Sequence, residues 1–206
     1  MPVDGKRIKG TADERAEARD RLRAELLAAA RTLADEAGGF DAVTVRSVAD
    51  RVGYRAPIVY QYYANKRALL LGLVDLGFAE LADRLGGAQC PAAYERAGGP
   101  LLSVATAYWD FAVDNPHLYR LMHALPDVPF GTAAAPAAAR ACFEVLAAAV
   151  ALGAPDRGGV DDDAAPDLLW AHLHGLVSLT LDGRIKGGRR RARTLLADLT
   201  ASFASR

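Results

Sequence analysis

Residues 43–66, VTVRSVADRVGYRAPIVYQYYANK, constrain this chain more than any other stretch. Thr44 stands where a hydroxyl can satisfy the free backbone amides of a helix start, and Val45, Val48, Ala49 and Val52 follow at the spacing of an inward face. Gly53, free to adopt positive φ, stops that helix after about two turns. A second short helix is expected over 56–63, and Asn65 is placed to cap a long helix running from about 66 to 85. Two short helices around a tight glycine turn are the geometry of a helix-turn-helix.

The remainder of the chain reads as helix as well. From Asp13 to Ala37 there is no Gly or Pro, and Leu22, Leu26, Ala30, Leu33 and Ala37 recur along one face until Gly38-Gly39 ends the run. Gly86-Gly87 and QCPAAYERAGGP read as a loop, then helices are expected at 101–114, over HLYRLMHAL, and at 137–152, 167–184 and from about 189 to 203. Alanine, leucine and arginine dominate while β-branched residues are few, which favours helix because straight side chains lose little rotamer freedom there. The expectation is an all-α protein of about nine helices: a flexible arm at 1–12, a three-helix helix-turn-helix domain at 13–66, and a larger C-terminal helical bundle at 67–206.

The second short helix presents the chemistry. Ile58 and Val59 can pack inward, leaving Arg55, Ala56, Pro57, Tyr60 and Gln61 toward the exposed surface that a groove-docked helix offers to DNA. Arg55 and Gln61 suit bidentate contacts to base edges, and Ala56 and Pro57 allow close approach to a thymine methyl. The hydroxyls of Tyr60 and Tyr62 and the ammonium of Lys66 suit phosphate oxygens. Thr44 and Arg46, at the start of the first short helix, suit a phosphate at the positive end of a helix dipole. Formal net charge is zero, but residues 1–67 hold 13 Lys and Arg against 10 Asp and Glu, a bias compatible with a DNA-binding end.

This stretch resembles the N-terminal domain of the TetR/AcrR family of regulators at Thr44, Arg46, Val48, Ala49, Val52, Gly53, Pro57, Val59, Tyr60, Tyr62, Tyr63 and Lys66. It departs at Tyr54, where the family usually has Val, and at Arg55, which replaces a capping Ser or Thr. A second resemblance lies in LLWAHLHGLVSLTLDGRI, similar to the W-x-x-x-H-G helix of the WHG subgroup at Trp170, His174 and Gly175. These resemblances imply a homodimer that binds a pseudo-palindromic double-stranded DNA operator, and a small-molecule effector that releases it, so a transcription repressor. They also imply that the last two helices form the dimer interface, through Leu173, Leu176, Val177, Thr180, Leu195, Leu196, Leu199 and Phe203. Tyr63, at a position the family buries, is expected in the core.

Tyr108, Trp109, Phe111, Met122, His123 and Phe143 sit at helical spacing as either cavity lining or plain core, and Trp170 and His174, one turn apart, can line a pocket or pack in a core or interface. No metal or other cofactor is expected. His172 and His174 point to opposite sides of a helix, and Asp161, Asp162 and Asp163 lie in a Gly- and Pro-containing loop. Arg189, Arg190, Arg191 and Arg193 fit a solvated helix start better than a second nucleic-acid surface. Cys90 and Cys142 have neither metal-ligand spacing nor the number of a disulfide framework. No nucleophile–base or metal-ligand set has workable spacing, so an enzyme is not expected. With no apolar run of about 18–20 residues and no signal-peptide pattern, the expectation is a cytoplasmic protein without a membrane partner.

Overall fold

The computed structural model describes residues 11–126, 128–130, 132, 134–154 and 164–204. The arm proper and Asp161–Asp163 therefore lie outside the described residues. Among those described, the chain is all-α, with ten α-helices and one 3-10 turn. It divides into two compact units, one ending at Leu73 and the other beginning at Val74, a division that falls inside a continuous helix.

The first unit is built from α1 (Ala12–Ala37), a 3-10 turn (Phe40–Ala42), α2 (Val45–Arg51), α3 (Ala56–Val59) and the start of α4 (Lys66–Gly87). Local signals set each boundary. At α1, Thr11 and Glu14 form a reciprocal capping box, and Gly38 closes the helix at φ 77°. Only the second half of α1 is buried, through Leu26, Leu27, Ala29, Ala30 and Ala34, and it packs on the 3-10 turn and on α2, whose Val45, Val48 and Ala49 are buried. Thr44 caps α2 as its sequence suggests, in a capping box with Ser47. The Arg51 guanidinium forks onto the Glu36 carboxylate at 3.0 and 2.6 Å, tying α2 to α1 and holding the carboxyl below its usual range.

α3 is shorter than expected. It ends at Val59 rather than at 63, and the chain continues in tight turns in which Gln61 N donates to Ile58 O and Tyr62 N to Val59 O. The tightening lets both Val59 and Tyr63 reach the core before Asn65 Oδ1 accepts from Ala68 N and starts α4. Tyr63 is buried, packed so closely on α4 that a Cβ at Gly72 would lie 2.9 Å from its ring, with the Arg23 guanidinium over its face.

In the second unit the rest of α4 is followed by α5 (Pro91–Ala97), α6 (Pro100–Asp114), α7 (Pro116–Ala124), α8 (Ala137–Gly153), α9 (Ala164–Leu181) and α10 (Gly188–Ala204). The loop expected around Pro91 is in fact α5. Its Pro is the first helical residue and Gly98, at φ 89°, is its C-terminal cap, so the residues that suggested a loop are the helix's own start and stop marks. α6 is the hub, packed on α5, α7, α8, α9 and α10, with Leu101, Val104, Tyr108, Trp109, Phe111 and Ala112 buried. Arg193 pairs with Asp110 and Arg84 with Asp114 along its exposed side.

Candidate functional site

The outer face of the helix-turn-helix is left unused by the fold. Arg55, Pro57, Tyr60 and Gln61 are exposed, Tyr60 by 53%, while Ala56 and Ile58 are half-buried and Val59 is fully enclosed. Arg55 occupies the N-cap of α3 and makes no capping bond with its side chain, which leaves the guanidinium projecting from the helix start. The loss of a cap hydroxyl here costs about 1 kcal/mol by the usual range.

Not every expected contact residue belongs to that face. The Thr44 hydroxyl accepts from Ser47 N at 3.0 Å and meets Ser47 Oγ at 3.1 Å, so its first role is to hold α2. Arg46, its side chain 88% exposed, lies 4.0 Å from Asp50. Tyr62 is half-buried in a groove with Ala16, Arg19, Asp20 and Arg23 of α1, apart from Tyr60. The Lys66 ammonium donates to the Asp41 carbonyl at 2.8 Å, which positions its charge at the start of α4.

The second unit contains a cavity of about 550 Å³. Its wall is ring-rich: Phe78 and Leu81 from α4, Tyr108, His123, Phe130, Cys142, Phe143, Leu146 and Trp170, with Arg140, Glu144 and Asp167 also lining it. Four of the eight candidates offered by the sequence, Tyr108, His123, Phe143 and Trp170, are in the wall. The other four sit elsewhere. Trp109 and Phe111 are buried on α6, Met122 packs onto Gly77 closely enough that a Cβ there would be 2.6 Å from its sulfur, and His174 lies behind the wall. Phe78, Leu81, Phe130 and Cys142 are members that periodicity alone does not reveal.

Behind the wall runs a polar chain. The Tyr108 and Tyr119 hydroxyls are 2.8 Å apart, and Tyr119 Oη is 2.8 Å from His174 Nδ1. Burial raises the pKa of both tyrosines and lowers that of His174. His123 Nδ1 lies 2.9 Å from the Tyr119 carbonyl, the ring stacks at 4.4 Å on Tyr119, and burial pushes its pKa down to about 4. Burial likewise pushes the Cys142 thiol up to about 12, which leaves it protonated and unreactive.

The residues expected at a dimer interface divide. Leu173, Val177, Thr180, Leu196 and Phe203 are buried by the chain's own helices, because the row from Leu169 through Leu173 to Val177 faces inward. Leu176, Leu195 and Leu199 are half-buried, and the outward apolar positions are Leu168 and Leu179, 39% and 45% exposed. A Cβ on Gly175 would meet nothing within 4 Å, so this glycine makes no close approach inside the chain. Among the described residues no group of three or more His, Cys, Asp or Glu is placed to hold a metal, and no helix is long and apolar enough to cross a membrane.

A short helix packed on α1, a glycine turn and a second short helix flanked by exposed polar and aromatic residues define a helix-turn-helix protein with a separate helical unit. The sequence pattern described as "Bacterial regulatory proteins, tetR family" matches residues 26–73, and "Tetracyclin repressor-like, C-terminal domain" matches residues 101–203. The chain belongs to the TetR family of bacterial regulatory proteins. It is 25% identical to the HTH-type transcriptional regulator Rv1816 of Mycobacterium tuberculosis over 83% of this chain and 85% of that protein. A protein of unknown function from Rhodococcus sp. RHA1 is 25% identical, with TM-score 0.71 over 89% of this chain and 94% of that one. A TetR transcriptional regulator from the same organism, 21% identical with TM-score 0.60 over 90% of this chain and 97% of its own, shares the fold.

Proposed function

We propose that this chain is a cytoplasmic, non-enzymatic transcription repressor that binds a pseudo-palindromic operator as a homodimer and leaves it when a small molecule fills the cavity of the second unit. The observation that carries the reading is the exposed set Arg55, Pro57, Tyr60 and Gln61, on and immediately flanking a short helix whose only buried member is Val59. Such a helix is supported from behind and presents one face to a major groove. Thr44, Arg46, Ala56, Tyr62 and Lys66 complete the contact set, with Lys66 and Arg46 giving charge to phosphates and Ala56 giving room. α4 carries both Lys66, at its start, and Phe78 and Leu81, in the cavity wall. A ligand that repacks Phe78 and Leu81 therefore acts on the same helix that positions Lys66, and a change in head spacing no longer fits two half-sites. Trp170, in the wall, and His174, bonded to Tyr119, give the W-x-x-x-H-G helix of the WHG-type ligand domain its role.

The test is a fluorescence-anisotropy titration against DNA from the upstream region of the gene, with a scrambled duplex as control and salt varied. Preference for the upstream duplex is the expected result; equal, weak binding to both, repeated on DNA selected from a random pool, would sink the reading. Within that assay Tyr60→Phe and Lys66→Ala are expected to weaken binding to all sequences alike, and Gln61→Ala to relax preference at one base position by about 1–3 kcal/mol. Uniform loss for Gln61→Ala would remove it from the base-reading set.

For the dimer, the support is the exposed Leu168 and Leu179 on α9, with Gly175 and Leu176 half-buried beside them and Leu195 and Leu199 half-buried on α10. Large apolar residues facing water on adjacent helices are stabilised by a second copy of the same surface, and Gly175 allows close approach. Light scattering is expected to give twice the 21.8 kDa chain mass, and Leu179→Arg to return the mass to that of one chain. A single-chain mass for the unaltered protein at micromolar concentration would rule out the dimer.

A further inference from the structure

We propose that the exposed first half of α1 carries a phosphate-binding stripe for duplex DNA, in which Arg19, flanked by Arg15 and Arg23 and sharing a groove with Tyr62, holds a backbone phosphate beside the stretch met by Tyr60 and Gln61. The inference rests on the reading of the helix-turn-helix as a DNA-binding head, and it extends that head to residues outside α2, α3 and the start of α4.

α1 is longer than its packing requires. Its buried residues begin at Leu26, so about 20 Å of helix precedes the core at 1.5 Å per residue. The inward row of Leu26, Leu27, Ala30 and Ala34 is continued backward, at three- and four-residue steps, by Arg23 and Arg19. The inward side of the helix therefore changes from apolar to cationic where the core ends. Arg15, Arg19 and Arg23 drift by only about 40° per step around the axis, while Asp13, Glu14, Glu17, Asp20 and Glu25 all lie at least about 100° from Arg19. The acids that balance the charge of α1 sit off the stripe.

Tyr62 joins this stripe to the helix-turn-helix. A groove of about 170 Å³ is lined by Ala16, Arg19, Asp20, Arg23 and Tyr62. Tyr62 directly follows Gln61, so the groove begins within about 7 Å of chain from Tyr60. Arg23 is already ordered there. Its Nε donates to Tyr63 Oη at 3.4 Å and its guanidinium lies 5.5 Å from that ring's centre, which reduces the side-chain freedom left to lose on binding. Arg19 and Arg23 are exposed, and against them the groove sets one carboxylate, that of Asp20. Two guanidiniums over one carboxylate suit a singly charged oxyanion that each arginine can meet with two parallel N–H donors. A backbone phosphate is such a group, and duplex DNA brings a row of them to the neighbouring exposed face.

The test follows operator binding against salt for full-length Arg19→Ala, Arg19→Lys and Arg21→Ala beside the unaltered protein, on the duplex that the unaltered protein prefers. At 0.15 M salt Arg19→Ala is expected to bind about thirtyfold more weakly, because the proposed dimer loses two phosphate contacts, and its plot of log affinity against log salt should be shallower by about two. The loss is expected on operator and scrambled duplex alike, with the unfolding midpoint unchanged, since a phosphate carries no sequence and Arg19 is exposed. Arg19→Lys is expected to keep the slope. Arg21 has the same charge but lies about 200° around α1 from Arg19, and Arg21→Ala is expected to match the unaltered protein. Ethylating the operator phosphates should interfere with the unaltered protein at a position in each half-site where it no longer matters to Arg19→Ala. Binding and slope unchanged in Arg19→Ala, or equal losses for Arg19→Ala and Arg21→Ala, overturn the stripe and leave the repressor reading standing. An unaltered protein that prefers no duplex, even one selected from a random pool, overturns both.

Discussion

Replacing Tyr119 with alanine is expected to destabilise the second unit by about 3–5 kcal/mol, the range for removing a large buried aromatic. Its ring is 1% exposed, edge-on to Tyr108 at 5.9 Å and stacked on His123 at 4.4 Å. Its hydroxyl is the middle member of the chain from Tyr108 to His174. Truncation opens a void and also leaves two buried polar groups without their shared partner. At roughly 2–4 °C per kcal/mol for a chain of this size, the unfolding midpoint should fall by about 10 °C in a calorimetric scan. Tyr119→Phe separates the two contributions. It keeps the ring and removes only the oxygen, so its cost should be about 1–3 kcal/mol. A cost below 1 kcal/mol for the alanine variant would mean that neither the ring nor the chain of hydroxyls holds this unit together.

The same residues explain what the sequence can and cannot disclose. Thr44, Gly53 and Asn65 act locally: a capping hydroxyl, a positive-φ turn and a side-chain cap each affect the backbone within a few residues, so the helix-turn-helix is legible without tertiary knowledge. α5 is hidden by the same local logic, since Pro91 and Gly98 mark loops as readily as helix ends. The cavity is a different kind of object. Helical spacing says that Phe78 and Leu81 face inward, but whether inward means a filled core or a void depends on what α8 and α9 place opposite them. Hence Trp109 and Met122, with the same composition signal as Tyr108 and His123, end up in solid packing. The outer face of α9 shows the finest limit. Neighbouring residues differ by about 100° around a helix axis, so an apolar helix leaves open which row faces out. Leu173 and Val177 turn inward, and Leu168 and Leu179 face solvent.

The double variant Arg46→Ala/Arg55→Ala is expected to lose about three powers of ten in operator affinity at 0.15 M salt, with little change in stability. Neither guanidinium supports the fold: Arg55 makes no capping bond, and the Arg46–Asp50 pair at 4.0 Å lies between side chains 88% and 69% exposed, where such pairs contribute little. On DNA the balance reverses, because each arginine that neutralises a phosphate releases about 0.9 of a condensed counterion, and the proposed dimer presents each arginine twice. Four lost contacts should make the plot of log affinity against log salt shallower by about four. The slope also discriminates between roles. If Arg55 reads a base edge, the slope flattens by only about two, from Arg46, while discrimination against the scrambled duplex falls as well. Affinity and slope that both match the unaltered protein would show that this face does not meet DNA, since no other term in binding compensates for the loss of four phosphate contacts at every salt concentration.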